Sequence, residues 1–157
     1  MKQVVCNYAP LRFLPYRDTG EFVNVGVVLH CPQTDFFGYR LTPLKRTGRV
    51  TRFFPDLDVR IFKAALQGIA RELSRVEACH PVLATEVEVA PDIAKERIQR
   101  FLEIVRRREG ILHFGETGTL LADSPQEALE GLFVRFVGRQ LNNPSRLRTA
   151  VDLGIAA

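Results

Sequence analysis

The sequence predicts a single α+β domain, an antiparallel sheet of about four or five strands covered by three helices. Three observations point there. Apolar and polar residues alternate through the first third, punctuated by Pro, Gly and Asp, as half-buried strands do. From Asp56 onward the apolar residues recur at three- and four-residue steps, the period of a helix. Strands gathered first and helices later fit a layered α+β arrangement and not the regular alternation of a parallel sheet. A chain of 157 residues with 46% hydrophobic and 25% charged residues has the size and material for one core. The domain is expected over residues 1–142, with 143–157 a tail of no strong period, expected to be flexible.

Gln3 to Leu14 reads as the first strand, broken near Pro10 and ended at Pro15. Arg17 to Gly20 supply a turn, and Glu21 to Cys31 form the second strand. Pro32 to Asp35 turn again, and Phe36 to Leu41 make a third strand that stops at Pro43. Lys45 to Phe54 alternates charge with Val50, Phe53 and Phe54, an edge strand or a loop. Ile61, Phe62, Ala65, Leu66, Ile69, Leu73 and Val76 share one helical face, and Cys79, His80 and Pro81 end that helix. Val82 to Ala90 is a short strand or an exposed connection. Pro91 and Asp92 open a second helix that buries Ala94, Ile98, Phe101, Leu102 and Val105 and stops at Gly110. Ile111 to Phe114 and Thr119 to Leu121 are short strands flanking the turn GETG. Ser124, Pro125 and Glu127 give the best local signal, an N-cap serine, a proline at the first helical position and a glutamate three residues after the cap. The third helix then buries Leu129, Leu132, Phe133 and Phe136 and halts at Asn142, Asn143 and Pro144.

Within the second strand, GEFVNVGVVLHCP, two residues stand out. Regular alternation places Val23, Val25, Val27, Leu29 and Cys31 on one face, a core face, and Phe22, Asn24, Gly26, Val28 and His30 on the other. Gly26 inside a strand marks a bulge or a close approach of another element, and Asn24 can bond the main-chain groups that a bulge frees. The structural reading, a helix packed tightly on the sheet or a shaped hairpin, outweighs the functional one, a small polar site of Arg12, Arg17, Glu21 and Asn24.

Searches for known chemistry return little. GETG lacks the lysine and hydroxyl residue of a phosphate loop and reads as a hairpin turn. His30 beside Cys31 and Cys79 beside His80 suggest zinc, but neighbours on a strand face opposite ways, so His30 and Cys31 would not share an ion; no metal and no cofactor are expected. Asp56, Asp58 and Asp92 follow or accompany prolines at helix starts, where acids suit the helix dipole. No nucleophile sits in a strand-to-helix elbow. Three cysteines, an odd number without CxxC spacing, are expected to be free thiols in a reducing compartment. With no stretch near the ~20 apolar residues of a membrane span and an N-terminal segment too short for a secretory signal, a cytoplasmic protein without membrane contact is expected.

The basic residues say more. The formal charge is only +4, but seven bases meet two acids between Phe36 and Lys63, and six meet two between Lys95 and Arg108. Lys45, Arg46, Arg49, Arg52, Arg106, Arg107 and Arg108 form the candidate basic surface. Arginine outnumbers lysine 18 to 4, which suits bidentate pairing with phosphate or carboxylate. Phe53 or Phe54 would offer a stacking face to a nucleic acid.

The run from Tyr8 through Leu11, Arg12 and Pro15 to GEFVNVGVVLHCP resembles the signature of a bacterial family known as the domain of unknown function numbered three thousand and thirty-seven. Gly20, Glu21, Asn24, Val25 and Gly26 keep its order and spacing, and SPQEALEGLFVRFVG looks like its closing helix. The family has no established activity, so the resemblance supplies no catalytic residues. It implies that the gene often neighbours one for a protein-kinase-like protein, which would make this chain an accessory or regulator. The leading expectation is therefore a non-enzymatic interaction protein with a protein partner, followed by a nucleic-acid-binding accessory, then an enzyme with an unrecognised polar site.

Overall fold

In the computed structural model, residues 3–80, 89–106 and 108–138 are described. Five strands form one antiparallel sheet: β1 (Val4–Phe13), β2 (Val23–Cys31), β3 (Phe36–Leu41), β4 (Leu112–Phe114) and β5 (Gly118–Ala122). The order is β3-β2-β1, with β4 and β5 both paired to the free edge of β1. The described residues also form four helices: α1 (Gly48–Phe53), α2 (Val59–Ala78), α3 (Pro91–Ile104) and α4 (Pro125–Phe136). The α+β class and the antiparallel sheet are as the sequence predicts.

The first strand is unbroken. Pro10 pairs with Val27 on β2, and its carbonyl accepts from Gly115 N at 2.8 Å. The N and C=O of a strand residue point to the same side, so the missing N–H of Pro10 faces the third neighbour. There β4 covers Leu11 to Phe13 and β5 covers Val4 to Tyr8, leaving a gap between them. A proline in a central strand is tolerated because its absent donor falls at that gap. The same arrangement corrects the reading of GETG as a hairpin turn. Because β4 and β5 are each antiparallel to β1 and not to each other, Gly115 to Gly118 carry the chain along one edge.

The second strand contains the bulge. Leu11 faces Gly26 while Arg12 faces Asn24, so Val25 is the extra residue. This breaks the alternation: Val23 and Val25 lie in one core with Val28, whereas Val27, Leu29 and Cys31 lie in the other. The supposed mixed face is buried too, since helices cover both sides of the sheet. On one side Phe62, Leu66, Ile69 and Leu73 of α2 pack with Phe101 of α3 and Val50 and Phe54 around α1. On the other, Leu129, Leu132 and Phe133 of α4 pack on Val4, Val27 and Leu29. Each such side chain contributes roughly 1.5–3 kcal/mol on burial. Gly26 serves close approach, but of a strand: a Cβ there would lie 2.6 Å from Leu41 Cδ2 and 2.9 Å from Arg40 O of β3.

Several boundaries differ from expectation for identifiable reasons. Lys45 to Phe54 holds a short helix, α1, anchored by Val50, which is 1% exposed. The second expected helix ends at Ile104, not near Gly110, because Val105 turns into the core and Arg108 Nη2 donates to the Ile104 carbonyl at 3.0 Å. The last helix ends at Phe136, well before Asn142, where an arginine from α1 meets its terminal carbonyls. Its start is as read, with Ser124 Oγ accepting from Glu127 N at 3.3 Å. The expectations for Val82 to Ala90 fall almost wholly, and those for the tail entirely, outside the described residues.

The expectation of three free thiols is overturned. Cys6 and Cys31 are disulfide-bonded. They lie on adjacent antiparallel strands, directly opposite in the register that pairs Asn7 with His30, with Cα atoms 4.4 Å apart and both side chains buried on the α4 side. That spacing is what a narrow cross-strand pair supplies. Cys79 is free and exposed. The inference from free thiols to a reducing compartment loses its premise. No helix among the described residues is long and apolar enough to cross a membrane.

Candidate functional site

At the end of the sheet where β1 finishes and β2 begins, three strands present a polar row. Arg12 of β1 faces Asn24 of β2 on one side and His113 of β4 on the other, so all three side chains share the sheet face that α4 covers further along. The Arg12 guanidinium stacks over Phe22, 4.3 Å from the ring centroid. It also lies against Gly115, where a Cβ would come within 2.7 Å of Arg12 Cζ. Any side chain at 115 would displace it. Arg12 Nε and Asn24 Oδ1 are buried without a hydrogen-bond partner among the described residues.

This row borders an open cleft of about 930 Å3 whose lining includes Arg12, Arg17, Arg108 and His113 with the acids Glu109 and Glu116. Of the four polar-site residues expected from the sequence, Arg12 and Arg17 line the cleft and Asn24 stands beside Arg12 in the ladder. Glu21 is exposed, with its backbone N–H bonded to Thr19 Oγ1, and is not part of the lining. His113 had no signal in the sequence; only the register of β4 on β1 places it opposite Arg12.

The basic segments divide into structural and surface residues. Lys45, Arg46 and Arg52 are exposed and, with Thr47, Gly48, Arg49 and Phe53, line a recess of about 450 Å3. Phe53 is 49% exposed there. Arg49 turns inward: Nε donates to Asn24 O at 2.9 Å, Nη1 to Val137 O at 3.0 Å and Nη2 to Phe136 O at 3.1 Å. It thus ties α1 to the start of β2 and to the C-terminus of α4, whose last carbonyls lack helical partners. Burial holds its pKa below the usual arginine value. Through Asn24 the recess and the cleft adjoin the same end of the sheet.

In the second basic run, Arg106 is exposed and pairs with Glu103 at 3.4 Å. Arg108 turns back to Glu72 at 2.6 Å, with its guanidinium over the Phe114 ring. Arg107 lies outside the described residues.

At the opposite end of β2 a second polar cluster forms around Asp35, in the β2–β3 turn with φ 55°. His30 Nε2 is 2.9 Å from Asp35 Oδ1, and His80 Nε2, just past α2, is 3.9 Å from the same oxygen. Arg97 and Arg100 of α3 reach Oδ2 at 3.8 and 4.0 Å. His30 is 1% exposed and stacks on Phe101. Burial lowers its pKa, against the opposing pull of Asp35. Strand alternation does keep Cys31 on the other face, as expected, but it does not keep His30 from His80.

No curated protein and no solved structure gives a significant match to the chain. The family model described as "Protein of unknown function (DUF3037)" matches residues 8–137. That span runs from the first strand through the bulge, the polar row and the whole of the closing helix, so the chain belongs to the DUF3037 family.

Proposed function

We propose that this chain is a non-enzymatic interaction protein that takes an acidic segment of a protein partner at the Arg12–Asn24 end of its sheet. The observation that carries the reading is that arginines of two recesses, Arg12 of one and Arg49 of the other, meet at Asn24 at one end of the sheet. Arg12, Arg17 and Arg108 border the larger together with Glu109 and Glu116, and Lys45, Arg46 and Arg52 stand in the lining of the smaller. Cations around concave surfaces raise the local concentration of an anionic partner and speed its encounter. The gene neighbourhood implied by the family resemblance makes a protein-kinase-like protein the first partner to try.

The test is nuclease-treated affinity purification of tagged protein, with the co-eluting proteins identified by mass spectrometry. It is repeated with Arg17→Glu and with Arg46→Glu/Arg52→Glu. A stoichiometric partner lost from the charge-reversed variants is the expected result; a partner retained by all of them would refute the surface. Phe53, exposed beside Arg46 and Arg52, favours a second reading in which the smaller recess holds single-stranded nucleic acid. That reading requires affinity that falls steeply with salt.

A further inference from the structure

We infer that His30, Asp35 and His80 form a binding site for a first-row divalent transition metal of the zinc type. Three separate stretches of chain aim donor atoms at one point: the end of β2, the β2–β3 turn and the residues just after α2. The ligand atoms of the three residues all lie within 4.8 Å of one another. Two imidazole nitrogens and one carboxylate oxygen are a donor set suited to such ions. Closing on an ion at about 2.0–2.2 Å from each donor requires only small side-chain movements.

The hydrogen-bond roles at His80 leave a donor atom for a cation, whereas the far nitrogen of His30, Nδ1, is buried without a partner among the described residues. His80 Nδ1 is 2.7 Å from the carbonyl of Val76. A carbonyl only accepts, so Nδ1 carries the hydrogen, and in the neutral ring Nε2 presents a lone pair. That nitrogen lies 3.9 Å from a carboxylate oxygen, a separation that either a proton on Nε2 or a bound cation would bridge. A backbone carbonyl behind the far nitrogen is also the support that metal-binding histidines usually have.

The surroundings select the mode of binding. Arg97 and Arg100 attend Asp35 Oδ2, leaving Oδ1 as the single oxygen shared with both histidines. Arg97 is itself fixed by donating from Nη1 to Pro32 O at 2.7 Å. Asp35 would therefore bind through one oxygen, and three protein donors leave a fourth position for water or an anion. With two guanidiniums nearby, an anion is the favoured fourth ligand. Asp35 holds a left-handed backbone conformation that non-glycine residues adopt infrequently.

The experiment is titration of chelator-treated protein with Co2+, followed by visible absorption and then by displacement with Zn2+. One equivalent should give the intense d–d bands of a tetrahedral N/O site, and Zn2+ should abolish them. Asp35→Asn and His80→Ala should each weaken binding at least tenfold, whereas Lys63→Ala, at an exposed position of α2, should leave it unchanged. Circular dichroism of both variants checks that the fold persists without metal, since His30 is too buried to be the sole test. Absent binding, binding unaffected by His80→Ala, or a thiolate-to-cobalt charge-transfer band from Cys79 would each overturn the assignment.

Discussion

Arg49→Ala tests whether a residue counted among surface charges is in fact structural. Among the described residues the side chain donates three hydrogen bonds, to the carbonyls of Asn24, Phe136 and Val137, at 2.9 to 3.1 Å. Hydrogen bonds from a charged donor contribute about 1.5–3 kcal/mol each when well buried. Arg49 is only half-buried, and water can reach part of the vacated space, so each bond is discounted below that range, to about 0.8 kcal/mol. A helix C-terminus also loses a favourable cation. The net loss should be about 3 kcal/mol, or roughly 6–12 °C in Tm for a domain of this size. Arg49→Lys should recover only part of it, because a single ammonium cannot span three carbonyls as a planar fork does. Urea denaturation followed by circular dichroism reads the change as a shift in midpoint at constant slope. Arg52→Ala, on the same helix but exposed, should stay within about 0.5 kcal/mol of the parent. A loss below about 1 kcal/mol for Arg49→Ala, or equal losses for the two, would refute the clamp.

Gly26→Val should destabilise by about 1–3 kcal/mol through overpacking against Leu41 and the Arg40 carbonyl; a neutral result in urea melts would remove the close-approach explanation. Ser124→Ala should cost about 1 kcal/mol by freeing the Glu127 N–H, checked by the same melts and by restoration with Ser124→Asp. The disulfide closes a loop of 25 residues in sequence separation. Urea melts with and without reductant should therefore differ by roughly 3.5 kcal/mol on the chain-entropy relation, and identical melts would show that the bridge adds nothing to stability.

What the sequence made legible was local. Phe62, Leu66, Ile69 and Leu73 could be assigned to one face because a helix repeats within a few residues, and Ser124 with Glu127 announced a cap for the same reason. Asn24 and Gly26 marked an irregular strand, and the bulge is there. Its consequence was not readable, since one extra residue moves every later side chain to the opposite face. The helix at Gly48 to Phe53 was missed because it buries one residue, Val50, and has no cap hydrogen bond from a side chain. The pairing of β4 and β5 with β1, the Cys6–Cys31 bridge, the inward turn of Arg49 and the meeting of His30 with His80 all depend on contacts between distant residues. No window of sequence contains both partners.

Helices on both faces of the sheet leave little of its broad surfaces for recognition. From Val25 to Cys31 every residue of β2 is buried, so a polar or charged group gained there by mutation would meet hydrocarbon on either side. New chemistry has room only where the strands run out. The two polar clusters obey that geography, with Asn24 and Arg12 at one end of β2 and His30 with Asp35 at the other, about 20 Å apart at the usual rise per strand residue. One strand therefore acts as a fixed spacer between them, and whatever binds at one end is held at a set distance from the other.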